Sequence, residues 1–226
     1  MIFLKRKLEL DKMIAILGKK GSGKTNLLAY HIQILKQMCP IYICDSVGNF
    51  GVGGEFNKPN MVIMDGKQFS IEDLHKPYIF VKYVNNESSW TQFNADILSL
   101  YKGNNHQKHA YIIYDEIYLN VDKFNMDSEK NADFKEILIA GRNYGLGICI
   151  SAQRAGIMNK TILSQCNSIY CYRLFETNDL KSVNDYFDTE KISALEDYHY
   201  LGYFPDINEK NKEFEPINYY GNNPSK

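Results

Sequence analysis

Apolar positions along the chain fall into short blocks separated by polar stretches rich in glycine and asparagine. The runs "MIAIL" (13–17), "PIYICD" (40–45), "MVIMD" (61–65), "YIFVKY" (78–83), "AYIIYD" (110–115), "GICISA" (147–152) and "SIYCYRL" (168–174) have the length and composition of buried strands. Between them the period changes. In "TNLLAYHIQILKQM", Leu27, Leu28, Ile32, Leu35 and Met38 recur on one side of a helix. Further helices fit around Thr91 to Leu100, Asp127 to Ala140 and Lys160 to Cys166. Strands alternating with helices predict an α/β fold with a mostly parallel central sheet and helices on both faces. Beyond Leu174 the pattern weakens. There "TEKISALEDYHYLGYFPDI" suggests a short helix and an edge strand, and "NEKNKEFEPINYY" a final hairpin or an arm against a neighbour. "GNFGVGGEFNKP" reads as a long loop and "YYGNNPSK" as a frayed tail.

With 226 residues, 44% of them hydrophobic, the chain can bury one large core. The expected division is a single domain over 1–205, then a C-terminal hairpin or arm with its tail over 206–226. Lys and Arg total 26 against 27 Asp and Glu, so any nucleic-acid contact has to be local, as in basic loops lining a pore. No apolar run reaches the length of a membrane span and the start does not read as a secretion signal, which makes a cytoplasmic protein the expectation. Cys39, Cys44, Cys149, Cys166 and Cys171 form no C-x-x-C pair and the histidines no H-E-x-x-H, so reduced buried thiols are expected rather than zinc ligands.

Chemistry enters with "ILGKKGSGKTNLLAYHI". Gly18, Gly23, Lys24 and Thr25 fill the fixed positions of G-x-x-x-x-G-K-[ST] between a strand and a helix. Glycines let backbone N–H groups approach an anion, and the helix start adds partial positive charge. The residues that would wrap a nucleotide are therefore Gly18, Lys19, Lys20, Gly21, Ser22, Gly23, Lys24, Thr25 and Asn26, with ATP the expected ligand. Lys24 would reach the outer phosphates and the Thr25 hydroxyl would ligate Mg²⁺. "YIIYDE" brings Asp115, a candidate Mg²⁺ ligand, and Glu116, a candidate base for the attacking water, to the end of a buried strand. Gly18, Asp45, Asp115 and Ser151 all lie at or near carboxyl ends of strands, where open parallel sheets bind ligands. Asp45 could face that edge or organise the glycine-rich loop. In "AGRNYGLGICISAQRAG", Gln153 is a candidate γ-phosphate sensor or an ordinary loop glutamine. Arg142 is either a finger reaching a neighbour's nucleotide or a solvated helix-end charge.

Together these segments resemble the FtsK/HerA superfamily of ring-forming DNA-pumping ATPases over most of residues 12–175. "GKKGSGKT" is similar to its phosphate loop, "YIIYDE" to its Asp-Glu strand, and "GRNYGLGICISAQRAG" to the stretch joining its arginine finger to its glutamine motif. "TILSQCNSIYCYRL" resembles its following helix and strand. "DSVGNF" is similar to its D-x-x-G-[DE]-aromatic segment, with Asn49 in place of the usual acid. The resemblance implies a RecA-like P-loop NTPase in which Lys24, Thr25 and Asp115 bind phosphate and Mg²⁺. It also implies Glu116 as base, Gln153 as sensor and Arg142 as a finger acting in trans, with Arg173 a second candidate intersubunit contact.

The compact chain looks most like genome-packaging ATPases of membrane-containing double-stranded DNA viruses. That implies a homo-oligomeric ring, six subunits expected, moving double-stranded DNA in the host cytoplasm or at the virion or procapsid, with a capsid or membrane vertex protein as partner. "YKGNNHQKHA" and "DKFNMDSEKN" are candidate pore or coupling loops, or ordinary solvated loops. Competing readings are a plasmid or mobile-element transfer ATPase, a P-loop small-molecule kinase and a nucleotide-dependent virion assembly protein. A GTPase is disfavoured by the lack of N-K-x-D, and an ABC ATPase by the lack of L-S-G-G-Q.

Overall fold

The computed structural model describes residues 10–54, 61–64, 67–69, 78–102, 109–121 and 124–217. Parts of the "GVGGEFNKP" loop and of both pore-loop candidates, and the tail from 218, lie outside the described residues.

Nine strands in the described residues form one sheet in the order β3-β4-β2-β5-β6-β1-β7-β8-β9. They are β1 (Met13–Leu17), β2 (Ile41–Asp45), β3 (Met61–Ile63), β4 (Ile79–Tyr83), β5 (Ala110–Asp115), β6 (Leu146–Ala152), β7 (Ser168–Tyr172), β8 (Tyr200–Phe204) and β9 (Glu209–Phe214). The first seven pair in parallel, and β8 and β9 are antiparallel additions. Strands β1, β2, β5, β6 and β7 are buried along their whole length, which is why their sequences run apolar without alternation. The helices are α1 (Lys24–Leu35), α2 (Glu87–Tyr101), α3 (Ala132–Ala140), α4 (Lys160–Ser164), α5 (Thr177–Val183) and α6 (Thr189–Ala194).

Helices do cover both faces, unequally. Leu27, Leu28, Ile32 and Leu35 of α1 pack on one face with Ile14, Ile16, Ile41, Ile43 and Ile113. On the other, Phe93 and Ile97 of α2, Phe134 and Ile137 of α3, Ile162 of α4 and Val183 of α5 pack against Tyr42, Ile112, Tyr114, Ile148 and Ile150. All five cysteines are free and buried, and burial pushes the Cys39 thiol up to about 12 and the other four further still. Among the described residues no helix is long and apolar enough to cross a membrane.

Several boundaries differ from the sequence expectation for local reasons. Helix α2 starts before Thr91 because Asn86 and Ser89 form a reciprocal capping box, each side chain accepting the other's backbone N–H. Helix α3 starts only at Ala132 because Asn131 spends its side chain on Trp90 Nε1, the Asn125 carbonyl and Ser128 Oγ. Helix α4 is cut short at Ser164. Met38 lies past the end of α1 and is exposed rather than on its buried face. Strand β8 is not the edge, because the hairpin adds β9 outside it.

Gly147 sets a local packing limit. A methyl group there would overlap the Leu10 carbonyl oxygen and the Tyr111 ring. Gly147→Ala is expected to destabilise the fold by about 1–3 kcal/mol, read as a lower urea midpoint with an unchanged m-value.

Candidate functional site

The turn after β1 is shaped by close approach. Gly18 (φ 153) donates its N–H to the Ala152 carbonyl at 3.2 Å, and a Cβ there would sit 2.6 Å from Tyr172 Cβ and 2.7 Å from Ser22 Oγ. Gly23 (φ 104) precedes α1 without a side-chain cap, so the N–H groups of the first turn keep their capacity for a ligand. Lys24, the first helical residue, is buried with Nζ 3.2 Å from the Lys19 carbonyl and 3.7 Å from Glu116 Oε1. Desolvation pulls its pKa down, opposed by the negative charges of Glu116 and Asp115.

Asp115 ends β5, and Glu116 follows in a left-handed conformation (φ 53, ψ 53). Asp115 Oδ1 accepts from Ser151 Oγ at 2.6 Å and Oδ2 from Asn49 Nδ2 at 3.0 Å. Burial, with Glu116 and Asp45 adding to it, pushes the Asp115 carboxyl up to about 6 against the lowering effect of those two hydrogen bonds. Ser151 Oγ also accepts the Glu116 N–H at 3.0 Å, which couples the acid pair to β6. Gln153 grips Glu116 with both donors: Nε2 reaches Oε1 at 2.7 Å and the backbone N–H reaches Oε2 at 2.8 Å.

Asp45 stands opposite Asp115 in the sheet register but serves the loop that follows it. Its Oδ1 accepts the N–H groups of Gly48 and Asn49 at 2.8 and 3.0 Å, and its Oδ2 those of Phe50 and Gly51 at 2.9 and 3.0 Å. The loop so held presents Asn49 to Asp115. Sequence reading marked Asn49 only as a departure from an acidic pattern; its role depends on a contact 66 residues along the chain.

A cleft of about 560 Å³ runs over this surface, lined by Lys20 to Asn26, Val47, Asn49, Glu116, Gln153 and Tyr198. The Ser22 hydroxyl, also on this lining, is buried with no hydrogen-bond partner among the described residues. Among the described residues no group of three His, Cys, Asp or Glu side chains could hold a metal by itself. A Mg²⁺ held beside a nucleotide takes few protein oxygens and completes its shell with phosphate and water, which would call on Thr25 of the cleft lining and on Asp115 behind Asn49.

Other expected positions fall elsewhere. Arg142 sits in the turn before β6, at the end of that strand remote from Gln153. The seven residues of β6 put roughly 20 Å between the two ends. Its side chain is 75% exposed and its Nε donates to Asp11 at 3.0 Å, so it takes no part in this chain's own cleft. Arg173 pairs internally: Nη1 donates to the Leu195 carbonyl at 2.9 Å and Nη2 to Asp197. Tyr198 lines the cleft although no motif points to it.

No family model matches the chain. A probable helicase of Methanocaldococcus jannaschii is 29% identical over 82 residues, a stretch that covers 36% of this chain and 16% of that protein. The genome packaging NTPase B204 of Sulfolobus turreted icosahedral virus 2, in complex with ATP-gammaS, superposes with a TM-score of 0.70 at 25% identity, covering 93% of this chain and 100% of that one. In complex with AMP it gives 0.72 at 23%, with the same coverage. VirB4 of Thermoanaerobacter pseudethanolicus gives 0.67 at 9%, covering 94% of both chains. The chain therefore has the FtsK/HerA-type P-loop fold that its sequence resembles.

Asp115 provides a test of the site's electrostatics. Its carboxyl loses a proton later in the folded chain than in the unfolded one, so ionised Asp115 costs stability as pH rises from about 4 towards about 6 and above. Asp115→Asn is expected to raise stability at pH 8 by ~1–3 kcal/mol, with the gain shrinking towards zero near pH 4, as measured by urea unfolding at both values.

Proposed function

We propose that this protein is an Mg²⁺-dependent ATPase that drives double-stranded DNA through a homo-oligomeric ring of six subunits, serving as a viral genome-packaging motor. The observation that carries the reading is the Lys24–Glu116–Gln153 constellation beside Asp115 on a phosphate-loop cleft. Support also comes from the similarity to a packaging NTPase over nearly the whole chain. Packaging would place the ring at the virion or procapsid vertex, docked on a capsid or membrane protein.

In this reading the loop N–H groups and Lys24 bind and orient the outer phosphates. Bound Mg²⁺ would neutralise developing charge on the phosphate oxygens. Lys24 is then drawn from Glu116 towards phosphate, and the Glu116 carboxylate takes the proton of the attacking water. Gln153 holds the carboxylate at the correct distance and reports phosphate state by exchanging its amide between Glu116 and the γ-phosphate. Asn49, on the cleft lining, donates to Asp115 and holds that carboxylate just behind the cleft surface. Arg142, remote from its own cleft and exposed, completes the site of the adjacent subunit. DNA contacts fall on phosphates, since a pump has to move along unrelated sequences.

ATP hydrolysis measured across protein concentrations, with and without linear duplex DNA, tests this. Activity should rise cooperatively and respond to DNA. Lys24→Ala, Glu116→Gln and Arg142→Ala should each lower it at least about a hundredfold. Mixing the inactive Glu116→Gln and Arg142→Ala chains should restore part of it, because mixed interfaces pair an intact base with an intact arginine. DNA-insensitive, concentration-independent turnover that survives Arg142→Ala would reject the ring motor.

A further inference from the structure

Four residues other than glycine have positive φ among the described residues: Glu116, Tyr198, Asn208 and Asn211. Asparagine tolerates this conformation, whereas a tyrosine at φ 66 is a backbone outlier that the surroundings must impose. Glu116 and Tyr198 line the same cleft. Strain of this kind persists where neighbouring structure over-determines it, and it collects at functional sites.

The clamp around Tyr198 is visible on both sides. Arg173, next to Tyr172 at the end of β7, holds the Leu195 carbonyl and the Asp197 carboxylate. Beyond it, His199 Nε2 lies 3.0 Å from Glu215 Oε2 and Tyr200 enters β8 fully buried. Tyr198 itself stays 54% exposed, its ring alongside Gly23. It also forms a wall of a smaller cavity of about 210 Å³ lined by Lys19 to Ser22 but not by Lys24, Asn49, Glu116 or Gln153. Tyr198 thus stands where the cleft meets this second cavity, which the acid pair does not line. Phosphates with their outer end at Lys24 and Glu116 leave this side of the cleft open to the nucleoside.

Resting on the ATP reading, we infer that Tyr198 is the nucleobase platform of the site: its ring, held in a strained backbone by the Arg173 clamp, stacks on the base of the bound nucleotide. An aromatic face offers a base more than packing area alone. The phenol hydroxyl is not required for stacking, so phenylalanine should substitute.

The test is equilibrium binding of a non-hydrolysable ATP analogue and of inorganic tripolyphosphate, with Mg²⁺, to the full chain and to Tyr198→Ala, Tyr198→Phe and Tyr198→Gly. Tyr198→Ala should weaken analogue binding about tenfold or more while leaving tripolyphosphate binding unchanged, and should raise KM for ATP without lowering kcat. Tyr198→Phe should match the parent. Tyr198→Gly relaxes the backbone while removing the ring, so it should lose affinity as the alanine variant does without a lower Tm. Unchanged analogue affinity in Tyr198→Ala, a parallel loss of tripolyphosphate binding, or a drop in Tm for Tyr198→Gly would overturn the assignment while leaving the ATPase reading in place. Failure of the parent chain to bind either probe would remove the ATPase reading and this inference with it.

Discussion

Lys24 is buried at an edge of the sheet where Asp45, Asp115 and Glu116 are also buried, and the local architecture follows from giving each charge its own partner. A buried ion left unpaired costs several kcal/mol, so three separate solutions appear. Asp45 is neutralised by backbone N–H groups of its own loop. Asp115 takes neutral donors from Ser151 and Asn49. Glu116 is gripped by Gln153 and faces Lys24. Of the two carboxylates held by uncharged donors alone, Asp115 has two hydrogen bonds to the four of Asp45, and its raised pKa is the mark of charge compensation still missing at that position. An asparagine at position 49 suits this balance, because an acid there would set one more negative charge against Asp115.

Much of this is legible in the sequence, and the reasons are physical. Strands buried on both faces leave continuous apolar runs, so β1, β2, β5, β6 and β7 could be placed closely, and the parallel order brought Gly18, Asp115 and Gln153 to one edge. Short amphipathic segments were harder. Helix α5 carries few apolar positions in seven residues, and the α2 cap uses Ser89 where a glutamate or glutamine would have signalled it. Tyr198 falls in no motif, and Asn49 stands out only as a departure from one, since each matters through contacts made only after the chain folds. Arg173 has an internal partner that its own segment does not reveal, Asp197, 24 residues away along the chain.

The phosphate loop is also supported from below by side chains contributed late in the chain. Tyr172 Oη donates to the Gly23 carbonyl at 3.3 Å, its ring lies 4.9 Å from that of Tyr200, and Tyr200 stacks on Phe214 of β9 at 5.1 Å. The hairpin β8–β9 therefore does more than extend the sheet, because its Tyr200 and Phe214 back Tyr172 of β7, the ring against which Gly18 and Gly23 pack. Glycine at both positions is the geometric counterpart of a bulky tyrosine immediately beneath.

The burial of all five thiols has a practical side. A thiol reacts as its thiolate, and here both solvent access and ionisation are withheld at every native cysteine. A single cysteine introduced on the surface would thus be the group that takes up a maleimide dye in the folded protein. The natural sequence is already a background for site-specific fluorescence or spin labelling, with no native cysteine needing removal.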